Sequence, residues 1–355
     1  VFDLERETVQ NIYYKPYNSE DILANGFKSI YTDFHGGIWL GGNGYGIYYY
    51  FPYNKGFQHI SYQPSASTGL TFKSIRSIYK DPGGLLYIGG YGGLNAFDAN
   101  GIRKWRSKAS DIPYVIHPDP VYPELLWVES EGGQLMLLDK NTGRRLPDNY
   151  KDIRLDPEKV HSINIMSILD KNADELWVGT ENNLKLLHKK TGLIKRFDHD
   201  PADSLSIPAG KIRALFTDSK NRTWIGTLGG GLAFMQNNSM RFKTFRHQDE
   251  NKTGISSNVV YCIFETGSGE IFVGTENGID RFIEQTNSFE NFNTADGLAN
   301  DVVYRIESDE LGRLWLSTNQ GLSCFNPKTR KFRNYEADDG LQANEFNSGA
   351  SFKDE

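Results

Sequence analysis

Seven times along the 355 residues, an aromatic residue opens a short β-like run that closes on small residues. The runs are Trp39-Leu-Gly-Gly, Tyr87-Ile-Gly-Gly, Trp127-Val-Glu-Ser, Trp177-Val-Gly-Thr, Trp224-Ile-Gly-Thr, Phe272-Val-Gly-Thr and Trp315-Leu-Ser-Thr. Successive anchors are 48, 40, 50, 47, 48 and 43 residues apart. A recurrence of roughly 40–50 residues, with several strands per unit, marks a radial array of small antiparallel sheets. The expected fold is therefore all-β: a seven-bladed β-propeller of four-stranded antiparallel blades, with eight blades as the alternative.

The unit around Trp315 shows how a blade is written. Asp301–Ile306 is rich in β-branched and aromatic residues and reads as the first strand. Asp309-Glu-Leu-Gly312 turns the chain, Arg313–Ser317 is the second strand, and Asn319-Gln-Gly321 is a hairpin. Leu322–Phe325 and Lys331–Tyr335 follow as third and outer strands. Asp33, Asp81, Asp218 and Asp309 each stand six residues before their anchor, where a carboxylate can cap the turn. Gly followed by Ile or Leu opens the third strand at residues 46, 93, 231, 278 and 321. The units at Trp127 and Trp177 depart most: Trp127 lacks the Asp turn and follows a proline-rich connection, and Asp170 is one residue out of register with Trp177.

On the first strand, the residue before the last apolar one is Ser29, Ser77, Ser167, Ala214, Cys262 or Arg305, nearly always small. That suits an innermost strand crowded near an axis. One position earlier stand Lys28, Arg76, Met166, Arg213, Tyr261 and Tyr304, which are large and expected at the channel or the blade interface. The whole of 1–355 reads as one propeller, with partial blade pieces at 1–14 and 346–355, cut from a longer sensor protein.

Asp-x-x-Gly-x-Leu-Trp at 309–315, then Gly321-Leu322, the strand 332–335 and Asp296-Gly-Leu-Ala-Asn300 resemble the two-component regulator propeller repeat. The resemblance covers nearly the whole chain. In that family the propellers form the periplasmic sensor region of hybrid two-component systems from Bacteroides-type bacteria. It implies a periplasmic location, detection of polysaccharide-derived oligosaccharides, control of glycan-use genes, and a homodimeric receptor whose kinase lies elsewhere. Contact with a membrane is expected only through segments outside these residues.

Composition agrees in what it excludes. A formal charge of −6 and a pI near 5.7 do not provide the basic field that nucleic acid needs. The seven His show no metal-ligand spacing, and no phosphate loop or nucleophile elbow is present. No cofactor and no metal are expected. Cys262 and Cys324 lie in apolar strands and read as buried free thiols. The Asp turns differ from the sialidase Asp box, where Asp stands five residues before Trp.

No catalytic residue is assigned. The rival reading is a carbohydrate-active lyase or hydrolase using facing carboxylates among Glu131, Glu181 and Glu276; a protein-interaction propeller is a third. The expected ligand site draws on blade connections and hairpins that open on one face: Lys28, Tyr45, Lys73, Arg76, Tyr91, Lys211, Arg213, Asn258, Tyr261, Asn300 and Tyr304. Sugars are bound by aromatic faces together with amide and guanidinium donors, and clustered cations on an acidic protein suit an acidic sugar.

Overall fold

The structure is a computed structural model. It describes residues 60–351, apart from 61, 108–112, 131–133, 157–159, 161–163, 236–238, 252, 340, 342–345 and 347–350, and only the strands of residues 1–59. The chain divides into two compact units, Val1–Gln58 and His59–Glu355. The first contains a three-stranded antiparallel sheet, Phe27–Thr32, Ile38–Gly42 and Ile47–Tyr50, and a short pair, Phe2–Asp3 with Thr8–Val9.

The second unit is a β-propeller of six blades, not the expected seven. The sheet built on Trp39 belongs to the first unit, which leaves six anchors for the ring. Blade 1 consists of Ile75–Lys80, Leu86–Gly90, Gly93–Phe97 and Arg103–Arg106. Blade 2 has three strands, Val115–Pro118, Leu125–Ser130 and Gln134–Asp139. Blade 3 consists of Ile165–Asp170, Glu175–Thr180, Asn183–His188 and Ile194–Asp198. Blade 4 is Lys211–Thr217, Thr223–Leu228, Leu232–Met235 and Phe242–Phe245. Blade 5 is Val260–Glu265, Ile271–Thr275, Gly278–Ile283 and Ser288–Phe292. Blade 6 is Val303–Ser308, Leu314–Thr318, Leu322–Asn326 and Lys331–Tyr335. Every pairing within a blade is antiparallel, and the first strands pack side by side in order from blade 1 to blade 6.

The turn carboxylate does two things at once. In blade 4, Asp218 Oδ1 accepts from the Lys220 and Arg222 amides, closing the turn. Its Oδ2 accepts the indole N–H of Trp224 at 2.7 Å and the Arg222 Nε–H at 2.5 Å. Asp309 repeats this in blade 6 with Leu311, Arg313 and Trp315. Blade 2 has the same device despite its sequence. Asp119, eight residues before Trp127, caps the Val121 and Tyr122 amides and takes the indole N–H at 2.8 Å, because the proline-rich turn is two residues longer. Blade 5 has a phenylalanine anchor with no N–H to satisfy, and Thr266 stands in the Asp place, its hydroxyl accepting the Glu270 amide and sharing a hydrogen bond with the Ser268 hydroxyl. In blade 3 the carboxylate is displaced: Asp170 pairs with His117 at 2.6 Å and Lys189 at 2.8 Å, and the Trp177 indole N–H is buried without a hydrogen-bond partner among the described residues.

The anchor rings of blades 1 to 5 then pack on the blade that follows. Trp224 meets Phe282 of blade 5 at 5.2 Å, and Phe272 meets Phe325 of blade 6 at 6.5 Å. Tyr87, Trp127, Trp177, Trp224 and Phe272 are fully buried. Trp315 is half-buried and stacks on Tyr335 of its own blade. The glycine two places after the anchor makes this approach possible. A Cβ on Gly179 would stand 2.3 Å from Ser167 Oγ and 2.7 Å from Ile212 of the next first strand. The small first-strand residues use the same closeness, as Ser77 and Ser167 donate to the Pro113 and Ile212 carbonyls of the following blade.

The Asp-Gly-Leu segments are also explained. Asp296 ends a single 3-10 turn, Thr294–Asp296, and its carboxylate accepts the Asn293 amide. Gly297 takes φ 108, a conformation glycine adopts at little cost, and Leu298 is tucked into the core. Cys262 and Cys324 are free and buried as expected, and burial pushes the Cys262 thiol up to about 12.

Asp218→Ala strips a turn cap, an indole partner and the counter-charge of a buried Arg222, and is expected to cost about 3 kcal/mol. Thr266→Ala, at the matching place in blade 5, is expected to cost less than about 1 kcal/mol. Urea midpoints of the two variants check this; equal losses would contradict the double role of the carboxylate.

Candidate functional site

The axial channel of the six-bladed unit holds a cavity of about 230 Å³, lined by first-strand residues that include Tyr114, Met166, Arg213, Tyr261 and Arg305. A repeated backbone irregularity aims several of them there. The first strands of blades 1, 3, 4, 5 and 6 each slip register once against the second strand, between Ile75 and Ser77, Ile165 and Ser167, Ile212 and Ala214, Val260 and Cys262, and Val303 and Arg305. The residues left out of the ladder are Arg76, Met166, Arg213, Tyr261 and Tyr304. A β-bulge turns its extra residue away from the regular pleat, which is how a sheet re-aims a side chain. The strand Phe27–Thr32 slips at the same place, leaving Lys28 out of its ladder.

The bulge residue Arg76 joins an aromatic–cation group, and Tyr261 and Tyr304 form an aromatic pair. Arg76 lies 4.8 Å above the Tyr91 ring and 5.8 Å from that of Tyr114, and donates to the Tyr91 hydroxyl at 3.2 Å. The Tyr91 and Tyr114 hydroxyls are 3.0 Å apart and their rings meet edge to face. Tyr261 and Tyr304 meet edge to face at 5.0 Å. Arg213 donates to the Met166 carbonyl at 3.2 Å. Burial, then the neighbouring charge of Arg305 and, more weakly, of Arg76, pulls the Arg213 guanidinium down to about 10, so it remains charged at neutral pH. Burial and Tyr304 raise the Tyr261 phenol.

The other expected residues are placed differently. Lys73 is exposed, with its ammonium 5.2 Å from the Tyr62 ring. Lys211 is paired with Glu181, whose carboxyl is held below its ordinary range by that lysine and by Asn164. Asn258 is drawn into the turn before blade 5, where its side chain accepts the His247 amide and its carbonyl accepts those of Gly229 and Gly231. Asn300 caps the Val302 amide. Tyr45 and the Lys28 side chain lie outside the described residues. Tyr114 was missed because the proline-rich approach to blade 2 hides its first strand. The signal was Pro113-Tyr-Val-Ile, whose proline carbonyl is the one Ser77 holds. Arg305 was missed as a site residue because it occupies the place of the small residues.

A second class of residue fixes the loops that open on this face. The residue after the Gly-Leu or Gly-Ile pair, or after Asn183-Leu184 in blade 3, is often polar and buried, and it ties down the preceding blade connection. Asn95 accepts from the Thr71 amide, Lys185 donates to the Val160 carbonyl, and Ser323 accepts from the Ala299 amide. In blade 5 this residue is Asp280, which accepts from the Ser256 amide, the Ser256 hydroxyl and Asn291. Burial raises the Asp280 carboxyl to about 6 against those hydrogen bonds. Among the described residues no cluster of His, Cys, Asp and Glu is fit to hold a metal, and no helix is long and apolar enough to cross a membrane.

Residues 254–277, running from the connection before blade 5 to its second hairpin, match the family model described as the two component regulator propeller. Blade 5 carries a repeat of that family. A solved structure described as the extracellular domain of a hybrid two component system of B. thetaiotaomicron has TM-score 0.72 and 23% identity, covering 99% of this chain and 46% of that one. PorZ, a surface component of the type-IX secretion system of Porphyromonas gingivalis, has TM-score 0.56 and 12% identity, covering 87% and 48%. Virginiamycin B lyase of Staphylococcus aureus has TM-score 0.53 and 12% identity, covering 77% and 85%. At these identities the likeness is one of fold, and the chain spans less than half the length of the first of them. No protein of curated function matches the sequence. The propeller resembles the extracellular regions of hybrid two-component sensors, as the repeat pattern implied.

Because the folded state favours protonated Asp280, its contribution to stability is whole below about pH 4 and is lost as pH rises through about 6, a loss of about 3 kcal/mol at neutral pH. Asp280→Asn is expected to flatten this part of the stability profile between about pH 4 and pH 7. Thermal melts of both proteins across that range measure it; parallel profiles would contradict the assignment.

Proposed function

We propose that this chain is the ligand-sensing part of the periplasmic region of a hybrid two-component sensor kinase, that it binds without catalysis, and that its ligand is an oligosaccharide released from a polysaccharide. The observation that carries this reading is the set of bulge residues around the channel. Tyrosine faces beside guanidinium donors suit sugar rings and their hydroxyls. The family repeat in blade 5 and the fold shared with an extracellular sensor domain support the location and the signalling role. In the receptor, ligand would bias one arrangement of a homodimer over another, and the membrane segment and kinase would read out that bias to control glycan-use genes.

The carboxylates speak against glycoside hydrolysis. A general acid needs a raised pKa, whereas Glu181 is ionised and held by Lys211. Glu276 is engaged by the Ser257 hydroxyl, and Glu131 lies outside the described residues. Asp280, whose carboxyl is raised, is buried among Ser256 and Asn291 rather than lining the channel. The lyase with the same fold keeps an enzymatic reading in view, but fold alone does not transfer chemistry.

Calorimetry against a panel of plant and host oligosaccharides is expected to find at least one that binds and is recovered intact. New reducing ends or unsaturated products after long incubation would instead establish the enzyme.

A further inference from the structure

The protein carries a formal charge of −6, yet the cavity on its axis is lined by arginine and by no acidic side chain among the described residues. Arg213 and Arg305 both line it, and Arg76 stands near enough to act on Arg213. Among the described residues neither Arg76 nor Arg305 forms an ion pair. Arg76 Nε is buried with no hydrogen-bond partner. Arg305 Nε donates to Ser351 Oγ at 3.1 Å, and that hydroxyl donates to Glu307 at 2.7 Å, which orients the guanidinium. The terminal nitrogens of Arg305 have no protein partner among the described residues. Guanidinium groups close together in a partly desolvated channel repel one another, and burial first, then Arg305, lowers the Arg213 guanidinium.

Two features of the backbone show that this crowding is built rather than incidental. Arg213 is a bulge residue, turned toward the axis by the same slip that turns Tyr261 and Tyr304 there. Arg305 occupies the position where the first strands of blades 1, 3, 4 and 5 have serine, alanine or cysteine, and it pairs across the sheet with Ser317, where those blades have glycine. A long cation at that position extends into the channel from the neighbouring layer.

We propose that the channel seats an oxyanion, the carboxylate or sulfate of an acidic sugar, between the guanidinium groups of Arg213 and Arg305, with the Tyr261 ring beside it. This deepens the sensing role and rests on it for the remainder of the ligand. A planar guanidinium matches an oxyanion in two parallel hydrogen bonds, and two of them fix its orientation. The cavity, about 230 Å³, is smaller than pockets that enclose a whole drug-sized molecule. It suits one charged sugar unit, with the rest of an oligosaccharide leaving over the Arg76, Tyr91 and Tyr114 group. A neutral sugar would offer no counter-charge to Arg305, which has no ion pair among the described residues, and would be selected against.

Calorimetry on the whole chain at low salt tests this with three probes: sodium sulfate, 4-linked digalacturonate and uncharged 4-linked galactobiose. The expected result is digalacturonate binding at least tenfold tighter than galactobiose, competed by sulfate and weakened by added salt. R213Q and R305Q should each weaken it at least tenfold, while R330Q, on the turn before an outer strand, retains it. Circular dichroism confirms the fold of each variant, and the R305Q pair of measurements decides the matter should R213Q not fold. Galactobiose binding as tightly as digalacturonate, unaffected by R305Q, would overturn the anion seat and leave the oligosaccharide sensor standing. Sulfate binding that depends on Arg305, with neither disaccharide bound, would support the anion seat and count against the oligosaccharide. Binding of neither sulfate nor digalacturonate would overturn the proposal.

Discussion

A single carboxylate shared between a turn and an aromatic ring organises this molecule. Asp119, Asp218 and Asp309 each use one oxygen to close the turn between first and second strands and the other to hold an indole N–H. The ring can then be buried against the next blade without leaving its donor unsatisfied, which would otherwise cost about as much as a lost hydrogen bond. Because a buried ring faces each neighbour, blades must be stacked around an axis. The glycine after the ring lets the next first strand come close enough to complete the contact. The channel is what remains at the centre of that stacking.

Most of this architecture was legible because its units carry strong local chemistry. The aromatic anchors, Asp81, Asp218 and Asp309, and the Gly-Leu or Gly-Ile hairpins at 93, 231, 278 and 321 are short-range signals and fall where the sequence places them, while Asp33 and Gly46 lie outside the described residues. The blade count was not legible, since the sheet at Trp39 obeys the same local grammar yet belongs to another compact unit. Grammar describes a blade but not which blades share an axis. Asp119 escaped detection for a related reason. The spacing rule assumes a turn of fixed length, and prolines 120 and 123 lengthen it while leaving the hydrogen bond intact.

The candidate site was legible in one respect and hidden in another. Large polar residues at one first-strand position, among them Arg76 and Arg213, stood out because their neighbours are small. What put them there, a bulge repeated at the same place in five blades, is a property of strand pairing and leaves no composition of its own. Asn258 and Asn300 resembled sugar-binding amides but serve turns, which is the commoner use of asparagine at such places. Arg305 belonged to a column read as packing and so was passed over.

Residues 254–277 match the two component regulator propeller model and the fold resembles that of an extracellular sensor domain, and the channel has a chemistry that neither likeness names. The most direct measurement is the anomalous scattering of selenate soaked into crystals of this chain. A selenium peak within hydrogen-bond reach of Arg213 and Arg305, lost in the R305Q variant, is the predicted result. Ordered selenate found on the outer surface alone, with the axial cavity holding only water, would contradict the account.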